Sequence, residues 1–225
     1  MAVLVQVTGE PGTGKSYSSK TLNPKTTYMI DCDGKGLAWA GWRADYNSAN
    51  KNYAQSVSDT KSVFRLLKAI SDTRDDIKCV VVDTISTMMS DEEVRAMKKT
   101  SHNIWRDYAI DIYELYGETH KLREDLVIVF IAHPMLVDSN DGSYRQKLVT
   151  KVGGKKATTM NLGGKLNYNL YTHVERDGKG GADYSLLTQS DNINEARSVA
   201  GVLPYKIPND LGAVVSAIRE KDLCI

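Results

Sequence analysis

Residues 9–16 read Gly-Glu-Pro-Gly-Thr-Gly-Lys-Ser, directly after the apolar run Ala2-Val3-Leu4-Val5-Gln6-Val7. The spacing Gly-x-x-x-x-Gly-Lys-Ser, met by Gly9, Gly14, Lys15 and Ser16, arises by chance in roughly one chain of this length per hundred. An apolar run that ends in glycine suits a buried parallel strand. Glycines let main-chain N–H groups converge on a phosphate with no Cβ in the way, and a following helix N-terminus adds a favourable dipole. Gly9, Glu10, Pro11, Gly12, Thr13, Gly14, Lys15, Ser16 and Tyr17 are therefore expected to cradle the phosphates of a nucleotide, with ATP and Mg2+ as the ligands. Lys15 is expected to bridge the β- and γ-phosphates and Ser16 to ligate Mg2+. The plainer alternative is a glycine-rich strand–helix turn that happens to end in Lys-Ser, and the flanking strand and helix argue against it.

Strand and helix signals alternate through residues 1–134. A second strand is expected at Thr26–Asp31, a third at Lys78–Asp83 and a fourth at Leu126–Ala132. Short helical character is expected from Lys15 to about Leu22. Ser58 or Asp59 should cap a helix whose apolar face is Val63, Leu66, Leu67 and Ile70. A helical region to about Arg123 carries Trp105, Tyr108, Ile112 and Leu115 or Tyr116 on one stripe. The Asn-rich stretch from Arg43 to Gln55 reads as loop. Such alternation predicts right-handed βαβ crossovers and a mainly parallel sheet. After Pro134 the pattern changes: residues 135–166 read as a flexible basic loop. Residues 167–225 read as a hairpin around Asp177–Gly181 and a final helix capped at Pro208-Asn209-Asp210, with Leu211, Val214, Val215 and Ile218 facing inward. At 225 residues the expectation is one α/β domain.

A formal net charge of +1 excludes a globally basic nucleic-acid binder, so any such surface must come from local clustering. Cys32, Cys79 and Cys224 are too scattered for a zinc site and read as buried free thiols of a reducing compartment. No run approaches the length of a membrane span and no secretory leader is visible, so a cytoplasmic protein with no membrane partner is expected.

Three strand ends offer further chemistry. Asp83, closing Val80-Val81-Val82-Asp83, is placed to hold a metal-bound water and complete the Mg2+ shell. Asp31 and Asp33 stand two apart and share a face, so either one suits a water near the γ-phosphate, and both suit a turn before Gly34. His133 ends the fourth strand, where it could reach the γ-phosphate or serve structure alone.

Together Gly9–Ser16, Ile30-Asp31-Cys32-Asp33-Gly34, Val81-Val82-Asp83-Thr84 and Phe130-Ile131-Ala132-His133-Pro134 resemble the RecA-like ATPase core. They look most like the small phage-encoded RecA-like proteins of single-strand annealing, the Sak class, and the ending Ile207-Pro208-Asn209-Asp210-Leu211 resembles that group too. The resemblance implies a RecA-like P-loop NTPase, α/β, with a mainly parallel sheet flanked by helices and a C-terminal β-hairpin extension. It implies DNA-stimulated ATP hydrolysis, single-stranded DNA as partner, a homo-oligomer, a single-strand-binding protein as a further partner, and a place in the host cytoplasm. Asp33 falls where relatives activate water, although many use glutamate there. His133 falls where they sense the γ-phosphate, with glutamine in recombinases and histidine in replicative helicases. The chain starts almost at the first strand, so the N-terminal segment by which RecA-type proteins link subunits is not expected.

The segment after His133 is where such proteins place a DNA-binding element. Arg145, Lys147, Lys151, Lys155, Lys156 and Lys165 occur there with no acidic residue from Ser143 to Glu175. If all six met single-strand phosphates, log K would fall with log salt at a slope of about −4. Tyr144 and Tyr168 are candidates to stack bases. The alternatives are a solvated basic loop, or Lys155 or Lys156 reaching a neighbouring subunit's nucleotide. Two other functions fit the same phosphate site: a nucleotide-dependent switch or loader acting on a replication protein, and a small-molecule phosphotransferase.

Overall fold

The computed structural model describes residues 1–98, 104–138, 146–151 and 162–225; for Ile104, Trp105 and Lys147 it describes the backbone alone. Ten strands follow in chain order among the described residues: β1 (Val3–Thr8), β2 (Thr27–Asp31), β3 (Tyr53–Gln55), β4 (Cys79–Asp83), β5 (Val127–Ala132), β6 (Pro134–Asp138), β7 (Gln146–Thr150), β8 (Tyr168–Arg176), β9 (Ala182–Leu187) and β10 (Lys206–Pro208). Eight of them form one sheet in the order β10-β9-β8-β1-β5-β4-β2-β3. From β3 through β8 every neighbouring pair is parallel, and β9 and β10 close the edge antiparallel.

Consecutive apolar residues in the central strands divide between two cores, as a period of two requires. Val80, Val82, Ile128 and Phe130 face the helices α2 (Thr60–Thr73), α3 (Ile85–Met97) and α4 (Ile104–Thr119). Cys79, Val81, Val129 and Ile131 face the other layer, built from a 3-10 turn at Ser16–Thr21, the short α1 (Trp42–Asp45) and the final helix α5 (Leu211–Lys221). Fully burying each such side chain contributes about 1.5–3 kcal/mol. This is an α/β fold: a mainly parallel sheet flanked by helices, with antiparallel C-terminal strands, consistent with a P-loop NTPase.

Two caps stand where the sequence placed them. The Asp59 carboxylate accepts the Ser62 N–H at 2.8 Å, and Asp210 accepts that of Ala213 at 2.9 Å. Elsewhere the structure corrects the reading. Arg43–Gln55 is not all loop: α1 buries Trp42, and β3 pairs in parallel with β2. The segment after the glycine-rich loop is 3-10 rather than α, because its hydroxyls compete for main-chain carbonyls. Ser18 Oγ donates to Lys15 O at 2.5 Å and Thr21 Oγ1 to Ser18 O at 3.2 Å. The long helical region before Arg123 is two helices, with residues 99–103 outside the described set. Cys32 and Cys79 are buried free thiols, but Cys224 is exposed.

The largest correction concerns 135–166, which is no structureless loop throughout. β6 and β7 form an antiparallel hairpin beginning at Pro134, directly after His133. Polar bonds fasten it to the core. Gln6, wholly buried in β1, donates from Nε2 to Thr8 Oγ1 at 2.9 Å and Thr150 Oγ1 at 2.5 Å, and its Oε1 accepts from the Tyr116 hydroxyl at 2.9 Å. Tyr171 OH donates to Leu148 O at 3.0 Å, and Lys151 N to His133 O at 2.8 Å. Buried polar groups satisfied this way fix one arrangement, since any broken bond leaves an unpaired partner. The hairpin is thus tied both to the strand that carries the glycine-rich loop and to His133.

Candidate functional site

The carboxyl ends of β1, β5, β4 and β2 lie side by side, which is where parallel α/β sheets place their ligands. The glycine-rich loop leaves β1 with Gly12 and Gly14 at positive φ, 78° and 86°. A Cβ on Gly14 would stand 2.6 Å from Asn209 Nδ2 and 3.2 Å from the Tyr184 ring, and one on Gly9 only 1.8 Å from Thr172 Oγ1. Glycine is required at both by close approach. Lys15 is 6% exposed and donates from Nζ to the Glu10 carbonyl of its own loop at 2.8 Å. Burial lowers its pKa against the pull of Asp83, Glu10 and Asp33. A desolvated cation held only by a carbonyl is ready for an anion. Gly12, Gly14, Lys15, Ser16, Tyr17, Ala38, Tyr184 and Asn209 line a cleft of 560 Å³, ample for a nucleotide.

Ser16 Oγ donates to Asp83 Oδ1 at 3.0 Å, and the Thr84 hydroxyl donates to the same oxygen at 2.9 Å. Burial pushes the Asp83 carboxyl up, and the nearby Asp33 and Asp31 carboxylates add to the rise, while the two hydroxyls act against it. A half-buried carboxylate with such neighbours gains from a divalent cation. Among the described residues no cluster of three or more His, Cys, Asp or Glu makes an all-protein metal cage. One hydroxyl beside one carboxylate instead fits Mg2+, which keeps waters and takes the rest of its shell from phosphates.

Asp31, the last residue of β2, and Asp33, in the turn beyond it, part ways in space. Asp31, 2% exposed, accepts N–H bonds from Gly34 and Gly36 at 2.8 Å each and the Tyr53 hydroxyl at 2.7 Å. It builds the turn that presents Asp33. Asp33 pairs through Oδ2 with Lys35 Nζ at 2.5 Å, and its Oδ1 is buried with no hydrogen-bond partner. Burial alone would raise the Asp33 pKa, but the Lys35 ammonium and the nearby Thr87 hydroxyl bring it below the usual value.

His133 follows β5, the strand between β1 and β4, so it stands between the lysine loop and Asp83. Its main-chain N–H donates to Ser86 Oγ at 2.9 Å. Burial and then the Lys15 cation hold its pKa down, with Lys151 adding to the effect and Asp33 opposing it. These effects favour the neutral ring. A histidine with a depressed folded pKa contributes stability that is present above its ordinary value of 6.5 and lost as pH falls through the folded value. Urea midpoints of the wild type are therefore expected to drop relative to His133→Gln as pH is lowered from 7 towards 5. A difference that stays constant over that window would contradict this.

The two candidate basic residues whose side chains are described, Lys151 and Lys165, lie at opposite ends of the sheet. Lys151 lies at the carboxyl end of β1, beside His133. Lys165 lies at the amino end, where Asn167 N bonds Leu4 O, and its Nζ sits 3.8 Å from the centre of the Tyr113 ring. Four residues of strand separate the two ends, about 13 Å. Tyr168 is 0% exposed and donates its hydroxyl to Asp222 Oδ2 at 2.7 Å, so it cannot stack a base. Arg145, Lys155, Lys156, Tyr144 and the Lys147 side chain lie outside the described residues. Sequence reasoning missed Lys35, Thr84, Tyr184 and Asn209. Asn209 Nδ2 donates to Gly14 O at 2.9 Å, and the Pro-Asn-Asp cap before α5 was the one signal that pointed near it.

A parallel sheet with a glycine-rich phosphate cradle, an adjoining lysine and a hydroxyl–carboxylate pair defines a P-loop nucleotide-binding protein. The chain belongs to the AAA domain family, which it matches over residues 1–198, and is thus an AAA-type ATPase for which ATP binding is implied. AAA ATPases generally use ATP with Mg2+. No curated protein matches the chain. Among the described residues no helix is long and apolar enough to cross a membrane.

Proposed function

We propose that this chain is a RecA-like ATPase of the phage single-strand annealing class, which hydrolyses Mg-ATP and binds single-stranded DNA to promote annealing or strand exchange. The observation that carries the hydrolytic reading is the Ser16–Asp83 hydrogen bond, with Lys15 parked on its own loop carbonyl beside it. Bound Mg2+ would neutralise charge on the β- and γ-phosphate oxygens. Loop amides and Lys15 would bind the phosphates, and Ser16 and Asp83 would hold the metal. Asp33, with one buried unpartnered oxygen, orients a water and takes its proton as the new P–O bond forms. The bond to the bridging oxygen breaks with its electron pair staying on ADP.

The DNA reading is supported by the hairpin that follows His133 and is bonded back to it by Lys151 N. An imidazole at the end of β5, within the field of Lys15 and held towards its neutral form, is suited to pass nucleotide state into β6 and β7. The test is ATP turnover with and without single-stranded DNA across a salt series. Stimulation that weakens with salt supports the proposal. Turnover indifferent to DNA removes recombination and leaves the ATPase. Tight binding with negligible turnover favours a switch or loader, and phosphate delivered to an acceptor other than water favours a phosphotransferase.

A further inference from the structure

We infer that Lys35 is a second cation of the nucleotide site, whose ammonium leaves the Asp33 carboxylate for a γ-phosphate oxygen when ATP binds and stays on Asp33 when ADP does. This rests on the reading of Asp33 as the residue that orients water. Gly34 and Gly36 have φ of 69° and 81°, conformations that side chains rarely adopt, and both their N–H groups are held by the buried carboxylate of Asp31. The Tyr53 hydroxyl holds the same carboxylate from β3. Residues 33–36 are thus fixed in shape, and fixed in place as well: Asp31 pairs in register with Asp83, and Cys32 N donates to Asp83 O. The turn therefore presents Asp33 and Lys35 together just beyond the carboxylate expected to hold the metal.

The Lys35–Asp33 pair is suited to exchange. Lys35 is 75% exposed on a flexible stem, while Asp33 is only 11% exposed. An exposed ion pair holds weakly, and a terminal phosphate offers more charge and more acceptor oxygens than one carboxylate. Lys35 also stands within electrostatic range of Lys15, Asp83 and Asp31, so the position between Lys15 and Asp83 is within its field. Its departure would leave both Asp33 oxygens for water at the moment a γ-phosphate is present. ADP has no γ-phosphate to draw it away. The plain alternative is that Lys35 only helps to hold the turn.

Binding of Mg2+ complexes of ADP and of an ATP analogue with an uncleavable β,γ-imido bridge separates the two. With Lys35→Ala, affinity for the analogue is expected to fall about tenfold or more with ADP affinity unchanged, and Lys35→Arg should restore most of the loss. Lys35→Gln keeps most of the stem and should match the alanine variant. Equal losses for both nucleotides, or no loss for either, would overturn the inference. In Asp33→Asn the lysine is released in advance, so analogue affinity should rise while turnover is lost. If that variant still turns over ATP normally, the reading of Asp33 fails on its own, and the two affinities of the Lys35 variants still decide where the ammonium goes.

Discussion

Lys15→Met is expected to lower ATP turnover by about 10³-fold while leaving the nucleotide-free protein as stable as the wild type, or slightly more so. The turnover loss follows from removing a preorganised cation from a site where charge develops on transfer, an effect of the size seen for single charge-stabilising groups. The stability result follows from what Lys15 does without nucleotide. It is buried, its pKa is lowered by desolvation, and its ammonium donates to Glu10 O. That carbonyl also accepts from Thr13 N at 3.3 Å and Thr13 Oγ1 at 2.7 Å, so methionine leaves no orphaned acceptor. A stem of similar volume fills the space. Thermal melts with and without Mg-ATP supply the check: wild type should shift upward with saturating ligand, by about 2.7 kcal/mol at a hundredfold excess over Kd, and the variant much less. A variant that melts well below wild type without ligand would show Lys15 to be a structural residue.

How far the sequence could be read depended on how local each determinant is. The phosphate loop was legible because its chemistry lies in eight consecutive residues, and the central strands because Val80–Val82 and Val127–Ile131 are apolar at every position and must be covered on both faces. Asp59 and Asp210 were legible as caps because a cap bonds an amide three residues away. β3 was not, since Tyr53-Ala54-Gln55 has too few residues for a period and is a strand only because β2 lies beside it. β6 and β7 were missed for a similar reason: five residues each, paired across a connection rich in polar residues. Spacing put Asp31 and Asp33 on one face, but the glycine turn sends their carboxylates to different tasks. Tyr168 was misjudged as a base-stacking candidate because its surroundings come from far away in the chain, where Asp222 takes its hydroxyl.

Asp83→Asn carries the other large effect, and it separates function from fold with opposite signs. The variant is expected to lose Mg2+-dependent nucleotide affinity and at least about 10²-fold in turnover, since an amide neutralises no metal charge. The same variant should be more stable than wild type at pH 7 without ligand. Burial raises the folded pKa of Asp83 above its ordinary 3.8, with the Asp33 and Asp31 carboxylates adding to the rise. A carboxyl raised in this way contributes stability that is present below the unfolded value and lost as pH rises through the folded one. At pH 7 the ionised group therefore weighs against the fold. Asparagine keeps an oxygen for the Ser16 and Thr84 hydroxyls, so their bonds survive the change. The stability gap should accordingly narrow as pH falls from 7 through the raised folded value, where wild-type Asp83 takes up its proton. Urea midpoints at pH 7 and pH 4 measure the gap, and nucleotide titrations with and without Mg2+ measure the function. A variant less stable at pH 7, or one whose nucleotide affinity still depends on Mg2+, would mean that Asp83 sits at the strand end for structural reasons and that the metal is held elsewhere.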